Sequence, residues 1–377
     1  MKIFKNIIIG SAVIFALIYT FNLEYFIKGI GIVYLRGYTT VYIDDLEYFD
    51  FETIKANDIK SPWIESEIKV TDFSEDFENY NKEMGTVAYL VIQNDTIIGE
   101  KYYKNYSANS STNSFSMSKS FVTLTMGKAI EQGYINSLND KVIDYIPELK
   151  GKFASDVEIV DLAAMTSGII WEEGTSNPFS PVAKQYFYED QKKLMFNQPF
   201  DNKSGENYLY SSGNTQLLSI LIERATNTDF KDYFENELWH KIYPDYDAYW
   251  QIDSKKSANI KSFCCFHSNA RDFSRFGKLV LNNGSWDGEQ IISPSFIELS
   301  LEPYLENFDA YGIGMWLSNY KGFDFSLMSG HQGQYVIIIP DKDLIITRLG
   351  KKDVNLGEPG ISPDVLKYID EALSLIN

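Results

Sequence analysis

Three places in this chain pair a serine with a lysine three residues later: Ser66–Lys69 in "ESEIK", Ser116–Lys119 in "FSMSKSF" and Ser318–Lys321 in "WLSNYKG". On a helix, residues i and i+3 share a face, so such a lysine can hold the serine hydroxyl within hydrogen-bond reach. If it is also desolvated, its pKa falls and it can take the serine proton, turning the hydroxyl into a nucleophile. A serine in the first helical turn also has its own N–H at the positive helix end, where an oxyanion is stabilised. The spacing recurs by accident at this chain length and selects none of the three by itself. Context separates them. Ser66 sits in an acidic, solvated stretch and Ser318 at a strand end, whereas Ser116 opens the apolar helix "FVTLTMGKAI".

Two later motifs could complete such a site. "YLYSSGNTQLL" places Tyr210 just before a helix, and a phenol beside a serine and a lysine can relay a proton. With 26 tyrosines in the chain, a core ring whose hydroxyl caps a helix is the plainer reading of most of them. "SGHQGQYVIIIP" places His331-x-Gly333 at the entry to an apolar strand. There Gly333 would let backbone approach a ligand, and the Gln334 N–H would join that of Ser116 in an oxyanion hole. A strand-start turn with a surface histidine is the alternative. No G-x-S-x-G elbow, Walker loop or strand-bound G-x-G-x-x-G occurs. The three histidines, His240, His267 and His331, are far apart in sequence, so neither a metal site nor a cofactor is expected.

Ser116-x-x-Lys119, then Tyr210-x-Ser212, then His331-x-Gly333, in that order, resembles the serine β-lactamase and penicillin-recognising superfamily. The flanks "DLAAMTSGIIWEE", "SNARDFSRFGKLVLNNGSWDGEQIISP" and "GHQGQYVIIIPDKDLIITRLG" look most like its class C branch. That branch includes D-alanyl-D-alanine carboxypeptidases, penicillin-binding-protein-like esterases and 6-aminohexanoate-dimer hydrolases. The resemblance covers roughly residues 85–376. It implies an α+β fold, an antiparallel sheet flanked by helices plus an all-helical lobe at about 125–310, with the site between them. It also implies that Ser116 is acylated, Lys119 is its base and Tyr210 the relay. Ser212 stands where the branch often has asparagine, and His331 where β-lactamases carry the K-T-G lysine. Ser212-Gly213-Asn214 also fits the S-x-N of class A enzymes, but the class C flanks favour Tyr210.

A histidine is mostly neutral at pH 7 and holds a substrate carboxylate less firmly than lysine does. Serine for asparagine removes an amide donor and acceptor. Both departures point away from efficient β-lactam hydrolysis and towards an ester, a small amide or a peptide. The alternative is a D-alanyl-D-alanine carboxypeptidase-like or non-catalytic protein that binds cell-wall peptide or penicillin. Specificity is expected in loops such as "EEGTSNPFSPVAKQYFYEDQ", with Trp171, Tyr186 and Tyr188 as either cleft or core residues.

The elements that must position these residues are legible in outline. "TVAYLVIQND" has strand composition, and Asn94-Asp95 signals a hairpin into "TIIGEKYY". A helix is expected from Ser116 to Gln132, ended by Gly133. Helical spacing recurs in "VEIVDLAAMTSG", "NTQLLSILIERATN" and "SNARDFSRFGKLVLNNG". Four short strands follow in "YGIGMWLSNY", "FDFSLMS", "GQYVIIIPD" and "DLIITRLG", then a helix from about 362 to 376. Strands at both ends with helices between them suggest a sheet lobe and a helical lobe.

The 377 residues can bury a large core. With 34 basic and 52 acidic residues, a formal charge of -18 argues against nucleic acid as a partner. Lys2 and Lys5 precede the apolar run "IIIGSAVIFALIYTF", Ile7 to Phe21, and no small-x-small cleavage site follows. The run is expected to be an uncleaved membrane anchor within residues 1–35, its lysines inside and the rest of the chain exported into the cell envelope. A cleaved signal or a buried N-terminal helix are the alternatives. Residues 36–84 read as a lead-in segment, and the oligomeric state is not legible. Cys264 and Cys265 are adjacent and are expected to be buried thiols, since a disulfide prefers Cα atoms about 5.5 Å apart.

Overall fold

The computed structural model describes residues 18, 20, 23–174, 177–354 and 361–376. Its main sheet has seven strands in the order β10 (Trp316–Tyr320), β11 (Phe323–Gly330), β12 (Gln334–Ile339), β13 (Leu344–Gly350), β3 (Thr86–Gln93), β4 (Thr96–Tyr102) and β2 (Ile64–Val70). All neighbours run antiparallel except β2, which runs parallel to β4 at the edge. The hairpin expected at 86–102 forms, with Asn94 and Asp95 both at positive φ in its two-residue turn.

The sheet is covered on both faces, which explains its continuous apolar runs. Along β3, Ala88, Leu90 and Ile92 enter one core, and Tyr89 and Val91 enter the other. β12 divides in the same way, Val336 and Ile338 against Tyr335, Ile337 and Ile339. This is the two-residue period of a strand buried on both sides. Six helices position or cover the site: α1 (Glu24–Ile32), α2 (Ser118–Glu131), α3 (Pro181–Phe187), α4 (Ser212–Thr226), α5 (Ala270–Leu281) and α6 (Val365–Leu375). α5 packs on β12 and β13, while α6 packs on β13 and β4 from the opposite face. α2 and α4 pack against each other in the helical lobe. A second, four-stranded sheet is ordered β1 (Phe51–Ile54), β6 (Ala248–Gln251), β7 (Phe266–Ser268) and β5 (Thr112–Asn113), and β8 (Ser285–Trp286) and β9 (Glu289–Gln290) form a β-ribbon.

One expectation is overturned. Cys264 and Cys265 are joined in a disulfide, with Cα atoms 3.7 Å apart. Both are buried, as expected, but they are not free thiols. Cys265 takes a left-handed φ of 71°, and this local turn brings two adjacent side chains to one side of the chain. Of the apolar run 7–21, only Ile18 and Thr20 are among the described residues. Among the described residues, no helix is long and apolar enough to cross a membrane.

Candidate active site

The site is built on a tight turn. Phe115–Met117 is a 3-10 turn that feeds directly into α2, and Phe115 sits at φ 46°. A bulky residue held there costs of order 1–3 kcal/mol and persists only where its surroundings over-determine it. They do so here. The Phe115 N–H donates to Asn113 Oδ1 at 2.9 Å, and Asn113 Nδ2 in turn donates to Asp45 and to the Tyr186 hydroxyl. The Ser114 N–H donates to the Phe266 carbonyl at 2.8 Å. The turn leaves Ser116 half-buried while α2 carries Lys119 inward, to 2 % exposure.

Lys119 Nζ donates to Ser116 Oγ at 2.9 Å and to the Phe263 carbonyl at 2.9 Å. Both acceptors are uncharged. Burial therefore dominates and lowers the lysine to about 8, opposed in part by the field of the Glu173 carboxylate. The Tyr210 ring lies with its centroid 5.0 Å from Lys119 Nζ, and Ser116 is the neighbour that acts to lower the phenol's pKa. Burial, then Tyr311 and Glu173, push that phenol well above its usual pKa, so it is a proton-bearing group at neutral pH. Trp316 stacks on the Tyr210 ring at 5.4 Å. Ser118 and Ser120 face elsewhere, as helical spacing requires: their hydroxyls donate to the carbonyls of Ser262 and Gly314.

The other two serine–lysine pairs are not helical. Ser66 and Lys69 lie on β2, and Lys69 is paired with Glu65 and Glu100. Ser318 is on β10 and Lys321 in the turn after it, paired with Asp370. In a strand, i and i+3 point to opposite faces. The competing S-x-N reading is also resolved by position: Asn214 is buried, with Oδ1 accepting from Ser167 Oγ at 2.6 Å and Nδ2 against the Met165 sulfur.

Ser212 reaches the site through another group. Its N–H donates to Glu173 Oε2 at 2.9 Å and its hydroxyl to Glu173 Oε1, and Trp171 Nε1 donates to Oε2 at 2.6 Å. The carboxylate thus caps the first turn of α4, a favourable place for negative charge. Trp171 is 8 % exposed, and its ring lies against Gly213. Sequence reasoning missed Glu173. It lies in an aperiodic loop beside a second carboxylate, Glu172, and before a polar run, so nothing in the local sequence sets it apart.

β11 runs into this turn at its end: a Cβ on Gly330 would collide with the Ser114 carbonyl. His331 follows, its ring edge-on to Phe115 at 5.5 Å and its Nε2 3.3 Å from Thr40 Oγ1. Burial lowers it to about 4, so it is uncharged at pH 7. Gly333 serves a purpose other than the one expected. Its φ is 79°, and a Cβ there would collide with the buried Arg348 guanidinium, which donates to the Gln332 and Gly333 carbonyls. The close approach is therefore to Arg348 rather than to a ligand. The Gln334 side chain clamps the same turn, with Nε2 donating to the His331 and Gly350 carbonyls. Among the described residues, no group of His, Cys, Asp and Glu could hold a metal ion.

A family model described as Beta-lactamase matches residues 73–360. The chain is 26% identical over 236 residues to a 6-aminohexanoate-dimer hydrolase of Paenarthrobacter ureafaciens, covering 59% of each chain. It is 26% identical over 143 residues to Protein flp of Staphylococcus aureus, covering 37% of this chain and 28% of that one. The matches thus span less than two thirds of either relative. Among solved structures, one from Bacillus anthracis, provisionally named a 6-aminohexanoate-dimer hydrolase, superposes with a TM-score of 0.75 at 20% identity over 89% of this chain and 92% of that one. An octameric penicillin-binding protein homologue from Pyrococcus abyssi gives 0.64 at 18% identity over 80% and 76%.

Proposed function

The chain belongs to the beta-lactamase family, and on that premise we propose that it is a serine hydrolase cleaving an amide or ester through an acyl-enzyme. One observation carries the reading: Ser116 Oγ lies 2.9 Å from a lysine buried among neutral acceptors. Neutral Lys119 takes the Ser116 proton as Oγ attacks the carbonyl carbon. Tyr210 gives its phenolic proton to the leaving nitrogen or oxygen as that bond breaks, and regains a proton from Lys119. Water then attacks the ester on Ser116, its proton returning to Ser116 through the same pair as the acid leaves. The Ser116 and Gln334 N–H groups are assigned the developing oxyanion.

The uncharged His331 offers no formal cation to a substrate carboxylate, which supports esters and amides over β-lactams as substrates. A 6-aminohexanoate-dimer hydrolase among the relatives supports amides in particular. We place the catalytic domain outside the cytoplasmic membrane, anchored through residues 7–21, on the strength of the apolar run and the lysines preceding it. Replacing Ser116 by Ala is expected to abolish both p-nitrophenyl acetate turnover and fluorophosphonate labelling. Persistence of both would sink the assignment, and penicillin labelling without product release would leave a binding protein.

A further inference from the structure

The Ser116 turn is fastened from a part of the chain that lies ahead of residues 73–360, the stretch that matches the family. Between α1 and β1, residues 40–45 run past two walls of the reaction site and bond to each. Thr40 Oγ1 lies 3.3 Å from His331 Nε2. The Val41 carbonyl accepts from Gln332 Nε2 at 2.9 Å, and the Ile43 carbonyl accepts from the Asn113 N–H at 2.9 Å. Tyr42, Ile43 and Asp45 are buried, while Asp44 is exposed and accepts from Tyr106 and Lys351. One strap thus holds both the 331–332 turn and β5, the strand that leads into the nucleophile.

The strap ends on a carboxylate that is 0 % exposed. Asp45 Oδ1 accepts from Asn113 Nδ2 at 3.2 Å and from Gln251 Nε2 at 2.9 Å, and Oδ2 accepts from the Tyr186 hydroxyl at 2.7 Å. Tyr186 accepts in turn from the same Asn113 Nδ2 at 3.2 Å. Asn113 is fixed on both sides, and its Oδ1 takes the Phe115 N–H at 2.9 Å. All three donors to Asp45 are uncharged. His267, with Nε2 3.6 Å from Oδ1, is kept neutral by burial, and Lys261 Nζ donates to Gln251 Oε1 instead. Burying a carboxyl group among neutral donors costs stability, and a fully satisfied polar network specifies one arrangement of whatever it touches. Here it touches the residue at φ 46° that immediately precedes Ser116.

We propose that residues 40–45 are a positioning strap for the reaction site, and that Asp45 is its positioning residue: through Asn113 and the Phe115 N–H it sets Ser116 Oγ against Lys119. The proposal rests on the hydrolase reading above and adds to it a residue outside the matched stretch that governs the reactivity of the serine. Asp45 is shut off from solvent and so from substrate. Its loss leaves Lys119 and Tyr210 in place but frees the turn to relax its φ, carrying Ser116 Oγ away from Lys119 Nζ.

The test compares variants of the full chain on p-nitrophenyl acetate. Asp45→Ala removes the acceptor of all three bonds; kcat is expected to fall about thirtyfold with KM changed less than about twofold, since a small displacement of a reacting group is enough for such a loss. Asp45→Asn keeps one oxygen for Asn113 and Gln251 and should restore kcat to within about threefold of wild type. Tyr186→Phe removes a single hydroxyl from the network, so it reports on the strap even where Asp45→Ala does not fold, and should lower kcat about fivefold. Asp44→Ala cuts the exposed contacts of the strap, touches neither turn, and should leave kcat within about twofold. Equal losses in Asp44→Ala and Asp45→Ala, or a change confined to KM, would overturn the proposal. Hydrogen exchange reads the strap without turnover. In Ser116→Ala protein, adding Tyr186→Phe or Asp45→Ala should speed exchange of the Phe115 amide at least about tenfold while the amides of β3 and β13 keep their rates. If Ser116-dependent turnover is absent but this exchange speeds up, the hydrolase reading falls and the strap stands. If turnover is present and neither variant alters kcat or exchange, the strap falls and the hydrolase reading stands.

Discussion

Lys119 can accept the Ser116 proton only in its uncharged form. Burial has lowered its pKa to about 8, so below that value the active fraction falls tenfold per pH unit. For p-nitrophenyl acetate, kcat/KM is therefore expected to rise about 50-fold between pH 6 and pH 8 and to level off about twofold higher above pH 9. Lys119→Arg, charged throughout this range, should lose at least about a thousandfold. A profile flat from pH 6 to 9 in the wild-type protein would assign the base elsewhere. Ser116, Lys119 and Tyr210 were legible because each stands in a motif whose spacing has a mechanical meaning. Glu173 was not. A carboxylate that caps a helix from a neighbouring loop has no fixed offset from that helix, so only the folded chain shows that it meets Ser212 and Trp171 and biases Lys119. Gly333 was legible as a glycine that must be one, but what its backbone approaches, Arg348, comes from a strand 15 residues on.

At the scale of elements, Glu100 on β4 ties three pieces together. It accepts from Arg271 of α5 at 2.7 Å through both Nε and Nη2, from Lys69 of β2 at 2.6 Å and from the Tyr102 hydroxyl at 2.6 Å. Burial alone would raise its pKa, but the hydrogen bonds from Arg271, Lys69 and Tyr102 hold it down to about 2. A carboxylate whose folded pKa lies below its unfolded value contributes stability that is complete above the unfolded value, about 4.3. That contribution is lost as pH falls through about 2. Glu100→Gln should thus cost about 3 kcal/mol at pH 7 by leaving Arg271 and Lys69 with Glu65, at the strand edge, as their acidic partner. In urea titrations its difference from wild type should shrink steadily below pH 4; a constant difference down to pH 2 would contradict the assignment. The strands β3, β4 and β10–β13 were readable from their composition and the turn residues that split them, and α2 began within two residues of its expected start. β2 was not read as a strand: "IESEIKV" alternates apolar with charged residues, but it lies exposed at the sheet edge with its charges paired to β4 and α5, and its acidic composition made it look like solvated chain.

For the molecule as a whole, the layered α+β architecture followed from strand–helix–strand order, whereas the edge pairing of β2 with β4 and the small four-stranded sheet did not. Those contacts join residues far apart in sequence, such as Phe51 with Gln251, and no local pattern encodes them. The proposed anchor belongs to this scale too. In membrane fractions the full chain is expected to resist carbonate extraction, while a chain lacking residues 1–22 is released. Release of both would remove the anchor. With the anchor in place, the exposed Ile27, Tyr34 and Leu35 would lie close to the bilayer surface.

The middle of the main sheet is the pairing of β3 with β13, which sets Thr86 opposite Gly350 and Gln93 opposite Leu344. These partners leave the ribosome about 250 residues apart, which at roughly 5–20 residues per second is more than ten seconds. For much of that interval, once residue 226 has been made, the Ser116 turn and the α2–α4 pair are synthesised while the strand that abuts the turn, β11, is not. The Ser116 turn is therefore backed by the complete sheet only when nearly the whole chain is made, and a nascent chain stalled before β13 carries Ser116, Lys119 and Tyr210 with β10–β12 still unjoined to β3 and β4.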